Sequence, residues 1–297
     1  MNKRRLSKIT PYILILPFLC MMSFVFAGGL LQAVVQSTGY MPVFGMYDVS
    51  LRYYVQLFSN ARFMSSLWYT FYIAFVSAAL SVSLGVLIAF AVDKSRSGES
   101  LSYTLYKVPI IIPHIVVAIL VIQIFFQTGI ISRILFALNI IQDATDFPLL
   151  IYDRGGIGIM LAYLYKQAPF VTLTVFTVLK GLNKKYVQVA QNLGANSFQT
   201  VFRVTLPLLA PTILSTFLIT FAFAFGAFEI PFLLRSPARL TLPILAYFDY
   251  RSPVLAHMPA AMATSVTISV ISLSFIVVYM WLLRAMTRRG MEGGGFL

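Results

Sequence analysis

Cysteine, histidine and acidic side chains are all scarce in this sequence. Cys20 is the only cysteine among 297 residues, so no disulfide can form within the chain and no Cys-based metal spacing exists. The two histidines, His114 and His257, stand far apart without a ligand pattern and read as buried or interfacial imidazoles. Charge of either sign is rare: 10% of residues are charged, against roughly 25% in soluble domains. There is no G-x-x-x-x-G-K-[ST] run, so the chain has no phosphate-cradling loop of its own. Also missing are a zincin helix motif, a catalytic cluster in the apolar stretches, an internal repeat and a low-complexity linker. These absences argue against an intramembrane enzyme, and the sequence offers no catalytic residue, no metal ligand and no cofactor of its own.

What the sequence has instead is apolar surface. Hydrophobic residues make up 59% of the chain and the mean hydropathy is +0.86. One soluble core cannot hide that much, because a larger globule still needs a wetted surface. A lipid bilayer is the solvent that accepts it. The net charge of +13 sits between apolar stretches rather than on a polar segment with interleaved aromatics. It therefore reads as topology signal and contact with anionic headgroups, not as a nucleic-acid surface.

Six stretches are long enough to span about 20 residues of hydrocarbon: 12–32, 65–92, 105–126, 157–179, 208–234 and 258–286. In lipid each must be a helix, since every backbone N–H and C=O has to be satisfied internally. The fold class is thus an all-α polytopic membrane protein of about six transmembrane helices. Residues 1–297 are expected to form a single domain: 1–60 as first helix and outer loop, 61–290 as core. The opening Lys3, Arg4, Arg5 and Lys8 before a long apolar run read as a retained first helix, not a cleaved signal. A weaker run at 129–141 is an interfacial helix or an extension of the third span. Prolines 109, 113, 169 and 231 punctuate the spans and bend helices where neighbours or a cavity can satisfy the freed carbonyls.

Lysine and arginine set the orientation. With the N-terminus inside, inner segments collect Lys94, Arg96, Lys107, Lys180, Lys184, Lys185, Arg203, Arg284, Arg288 and Arg289 besides the N-terminal four. Outer loops hold only Arg52, Arg62, Arg133, Arg154, Arg235, Arg239 and Arg251. That bias places both termini in the cytoplasm.

The longest inner polar stretch, 180–211, reads KGLNKKYVQVAQNLGANSFQTVFRVTLPLLAP. At helical spacing Tyr186, Val189, Ala190 and Leu193 share one side, and Gly194 then suits a C-cap or sharp turn. A second amphipathic run carries Phe198, Val201 and Phe202, and Pro207 opens the fifth span. The expectation is two short helices at the inner surface, joined at a glycine.

The run Gln188-Val189-Ala190-Gln191-Asn192-Leu193-Gly194-Ala195, continuing through Phe202 to Leu206-Pro207, resembles the signature loop of binding-protein-dependent ABC importer permeases of the maltose and polyamine type. That family's pattern is Glu-Ala-Ala, three residues, Gly, then a spaced run ending in Leu-Pro. The likeness extends from near Ser65 through the sixth span. It implies that 180–207 is a cytoplasmic coupling loop between the fourth and fifth helices, with Gln188, Val189, Ala190, Leu193, Gly194, Ala195, Phe198 and Phe202 meeting a partner ATPase. Two positions depart from the pattern: Gln188 stands for the usual Glu and Val189 for an Ala, so a charge-assisted bond becomes a weaker neutral one.

Lys166 and Glu229 are the charges well inside spans, where an ion costs at least roughly 2.5–3.5 kcal/mol and commonly faces a cavity or partner. With Tyr163, Gln167, Phe225 and Phe228 they are the candidates for a substrate path; snorkelling or lipid-facing packing are the plain alternatives. By resemblance, the chain forms half of a translocation path in the bacterial inner membrane. Its partners would be an ATPase dimer carrying ATP and magnesium, a second permease identical or related, and an extracytoplasmic solute-binding protein. Residues 229–234, 242–247 and 260–263 lean towards polyamine, ferric-iron or phosphonate permeases, with sugar or glycerol-phosphate permeases as the alternative. An ion-driven secondary transporter is the competing class, but its inverted repeat is missing here.

Overall fold

The computed structural model describes residues 3–94, 108–182 and 184–292. Among these the regular structure is helical, with one isolated bridge between Met41 and Met46. The helices are α1 (Lys3–Ser37), α2 (Arg52–Ser59), α3 (Ala61–Lys94), α4 (Val108–Ile111), α5 (His114–Phe125), α6 (Ile130–Ala137) and α7 (Ile157–Gly181). They continue as α8 (Lys184–Asn192), α9 (Ser197–Gly226), α10 (Glu229–Leu234), α11 (Leu242–Tyr250) and α12 (His257–Glu292). Six helical spans are long and apolar enough to cross a membrane: Leu14–Ser37, Ala61–Lys94, His114–Ala137, Ile157–Gly181, Ser197–Gly226 and His257–Trp281. The chain is a multi-pass membrane protein of all-α class.

Two spans differ from the expected continuous runs. The third breaks at Ile112–Pro113, because Pro113 lacks the N–H that Pro109 O would receive and its ring crowds the preceding turn. The run at 129–141 is a separate helix, α6, after a turn at 126–129. The fifth was expected to reach residue 234. Instead α9 stops at Gly226, Ala227 is extended, and α10 starts afresh at Glu229. Pro231 then lies in a first turn, where its missing N–H has no helical partner to lose.

The residues cluster into two compact units. The first comprises 1–64 and 245–269. In it Ser37 Oγ and Tyr54 Oη lie 2.7 Å apart, and Gly39, at φ +93°, leaves no room for a Cβ beside the Tyr53 ring. Arg62 approaches Asp249 at 4.0 Å. Burial pushes the Asp249 carboxyl up, while Arg62 and His257 oppose that shift. The folded chain therefore holds this proton more tightly than the unfolded chain. The group costs stability above its raised pKa, and the cost is relieved as pH falls through it.

The second unit, 65–244 and 270–297, holds the candidate site. Its hub is α7, which packs on α4, α5, α9 and α10. Asp153 Oδ1 accepts from Ile157 N at 2.7 Å, satisfying one orphan donor at the start of α7. The α3–α7 approach is close: a Cβ on Gly85 would stand 2.6 Å from Val171 Cβ, and Thr172 Oγ1 donates to Gly85 O at 3.1 Å. Val82, Ala89, Val171, Val175, Phe176 and Leu209 form the buried cluster there. An aromatic ladder continues it, with Phe71 and Phe75 of α3 edge-on to Phe221 and Phe217 of α9. Phe221 and Phe225 in turn meet Phe275 at 4.6 and 5.7 Å.

Candidate functional site

Two features of the second unit stand out: a chamber among α5, α7, α9 and α10, and a helix pair between the fourth and fifth spans.

The chamber, about 380 Å³, is lined by His114, Tyr163, Phe223, Gly226, Ala227, Phe228, Glu229 and Ile230. Each break described above places one of these groups. The Pro113 bend sets His114 at the first turn of α5, and the end of α9 at Gly226 turns the chain so that Glu229 opens α10. His114 Nδ1 lies 3.7 Å from Glu229 Oε2, too far for a hydrogen bond. Its ring stacks on Phe223 at 5.2 Å. The Tyr163 side chain is fully buried and its hydroxyl has no partner. A second chamber of about 280 Å³ shares His114 and Phe223 with the first and adds Ile110, Lys166, Gln167, Phe170, Ile219 and Thr220. Gln167 Nε2 donates to Thr220 O at 3.2 Å, but its Oε1 is buried without a partner.

The six sequence candidates for a path thus separate. Tyr163, Phe228 and Glu229 line the first chamber, Lys166 and Gln167 the second. Phe225 lines neither; it is fully buried against Phe221 and Phe275 in the aromatic ladder. Lys166 has a specific employment. Its Nζ donates to Pro109 O at 2.9 Å, to Ile110 O at 2.8 Å and to Ile112 O. An ammonium has three N–H donors, so all three serve the broken helix. His114 is the residue that sequence reasoning passed over. Its signal was present: a histidine directly after a mid-span proline.

The helix pair is α8 and the start of α9. Ala195 N donates to Ala190 O at 3.0 Å and Gly194 N to Gln191 O at 2.9 Å, with Gly194 at φ +85°. That is a Schellman cap, in which the C′ residue must be left-handed. Asn196 then caps α9 reciprocally with Gln199, through bonds of 2.8 and 3.0 Å. Between Val201 and Thr205 the helix takes a π turn just ahead of Pro207, whose ring would crowd a regular turn. The turn between the helices is therefore rigid at both caps. It nonetheless exposes Tyr186, Val189, Leu193, Phe198 and Phe202, with Leu193 at 83%. The Phe198 and Phe202 rings lie 4.3 Å apart, and Ala190 and Ala195 are half-buried. Gln188 lines a cavity of about 480 Å³ under the pair, with Asp93, Lys94 and Lys180.

Comparison with known proteins gives this architecture its family. Residues 81–290 match the family described as binding-protein-dependent transport system inner membrane component. The chain belongs to that family. It is an ABC importer permease subunit, and a permease of this kind is a transport component rather than a catalyst. It is 29% identical over 191 residues to a probable molybdenum ABC transporter permease protein of Haloferax volcanii, spanning 64% of this chain and 65% of that one. It is 26% identical over 236 residues to a putrescine transport system permease protein of Escherichia coli K12, spanning 78% and 77%. In three dimensions it is similar to a bacterial ABC transporter that imports the acidic polysaccharide alginate, with a TM-score of 0.72, 19% identity and coverage of 96% and 98%. At that identity the likeness speaks to fold.

Proposed function

We propose that this permease subunit forms half of a solute path through a bacterial inner membrane, with α8 and the head of α9 as the cytoplasmic handle of a separate ATPase dimer. The observation that carries the reading is the doubly capped helix pair bearing Val189, Leu193, Phe198 and Phe202 outward. Apolar side chains on a span are what lipid requires, but on the polar turn between two spans they want a protein groove. ATP and magnesium belong to that partner. The basic bias of the inner segments supports both termini lying on the cytoplasmic side.

Six spans enclose only part of a path, so a second permease, identical or related, completes it, and an extracytoplasmic binding protein delivers the solute to the outer loops. One solved relative is a bacterial alginate ABC transporter in complex with an alginate pentasaccharide-bound periplasmic protein, which supports this reading. The relatives' names include putrescine, molybdate/tungstate, sn-glycerol-3-phosphate and trehalose/maltose, so similarity alone does not choose the solute.

The test is purification of the complex from membranes. The intact chain is expected to bring down an ATP-hydrolysing subunit, and Val189→Asp with Leu193→Asp to reduce that recovery at least tenfold while the chain still inserts. Each buried Val or Leu contributes about 1.5–3 kcal/mol, and a carboxylate in the same groove adds desolvation cost. Unchanged recovery in the double variant, or solute transport by the chain with no ATPase present, would contradict the proposal.

A further inference from the structure

The chamber beside the Pro113 break has a chemical character of its own. Among its described lining residues Glu229 carries the one full charge, and its side chain is 54% exposed. His114 Nδ1 stands 3.7 Å from Glu229 Oε2, close enough for one donor seated beside the pair to reach both. Tyr163 lines the same space, while its hydroxyl is itself wholly buried and unpartnered. The walls are aromatic, with Phe223 stacked on His114 and Phe228 beside Glu229. The nearby lysine does not compete for the carboxylate, because Lys166 spends its donors on the carbonyls of Pro109, Ile110 and Ile112.

We propose that this chamber binds a protonated organic amine: an ammonium group held by Glu229 and His114, with the rings of Phe223 and Phe228 around its carbon chain. The assignment rests on the reading of the chain as half of a solute path. An ammonium is a cluster of donors carrying positive charge, which matches a carboxylate, an imidazole nitrogen and aromatic faces at once. An oxyanion would meet Glu229 head-on, and among the described residues lining the chamber there is no Lys or Arg to offset it. A bare metal ion needs more hard ligands; among the described residues no three of His, Cys, Asp and Glu converge. A sugar would need several donors and acceptors along its ring, where this wall offers hydrocarbon.

The experiment is calorimetric titration of the purified transporter complex in lipid nanodiscs with 1,4-diaminobutane, molybdate and maltose as probes. The expected result is saturable binding of the diamine alone, weakened tenfold or more by Glu229→Gln, with Glu229→Asp retaining part of the affinity. If the Glu229→Gln complex is not recovered, Phe223→Leu is expected to weaken diamine binding threefold or more. Binding of molybdate or maltose in place of the diamine, no diamine binding, or diamine binding indifferent to Glu229 and Phe223 would overturn the assignment. A complex that hydrolyses ATP yet ignores the diamine sinks this assignment alone, whereas a chain with no ATPase partner sinks the reading beneath it.

Discussion

Gly194→Val is expected to cut ATP-driven transport at least tenfold while the chain still inserts into the membrane. Gly194 sits at φ +85°, and a Cβ built there meets nothing within 4 Å. Space is therefore not the issue; backbone conformation is. A left-handed residue with a Cβ costs roughly 1–2 kcal/mol, and β-branching makes it worse. The strain can be relieved only by opening the Schellman bonds from Ala195 N and Gly194 N, which fix the angle between α8 and α9. A handle that changes angle no longer presents Leu193 and Phe198 together. Asparagine tolerates the left-handed region, so Gly194→Asn should keep most activity, with Gly194→Ala between the two. A transport assay in vesicles that ranked Val equal to Asn would show that the turn is not under this constraint.

Lys166→Met should lower folded stability by about 3 kcal/mol, taking each freed carbonyl at roughly 1 kcal/mol. The three acceptors, Pro109 O, Ile110 O and Ile112 O, lie at the break where Pro113 removes a helical donor. The break also carries His114, so loosening it should weaken solute transport beyond what the stability loss alone produces. Lys166→Arg should recover stability in part, since a planar fork cannot match three carbonyls arranged for a compact ammonium. Thermal unfolding of the purified complex reads the first effect. A melting temperature unchanged in Lys166→Met would mean that these hydrogen bonds contribute little.

Much of the architecture was legible in the sequence because lipid enforces simple rules. Apolar length gave all six spans, and the 3.6-residue period with Gly194 gave the helix pair. Local signals of this kind need no knowledge of distant residues. What was not legible depended on contacts between distant positions. Lys166 was visible as an intramembrane charge, but its acceptors lie more than 50 residues earlier in the chain. Glu229 was visible too, yet its neighbour His114 comes from another span and looked unremarkable beside it. Phe225 and Phe228 looked equivalent until the stop at Gly226 turned one into the core and the other to the chamber. Proline positions showed where a break could occur, not which carbonyls it would free or what would satisfy them.

In the proposed function the turn at 193–198 faces the cytoplasm, gripped by a nucleotide-hydrolysing subunit. The most direct measurement places one thiol there, Leu193→Cys, after removing the only native cysteine with Cys20→Ser. Expected are labelling by a membrane-impermeant maleimide only in inside-out vesicles, loss of that labelling when the ATPase is bound, and cross-linking to the ATPase by a short bifunctional reagent. Labelling from outside intact cells, or a thiol equally reactive with and without the ATPase, would contradict it.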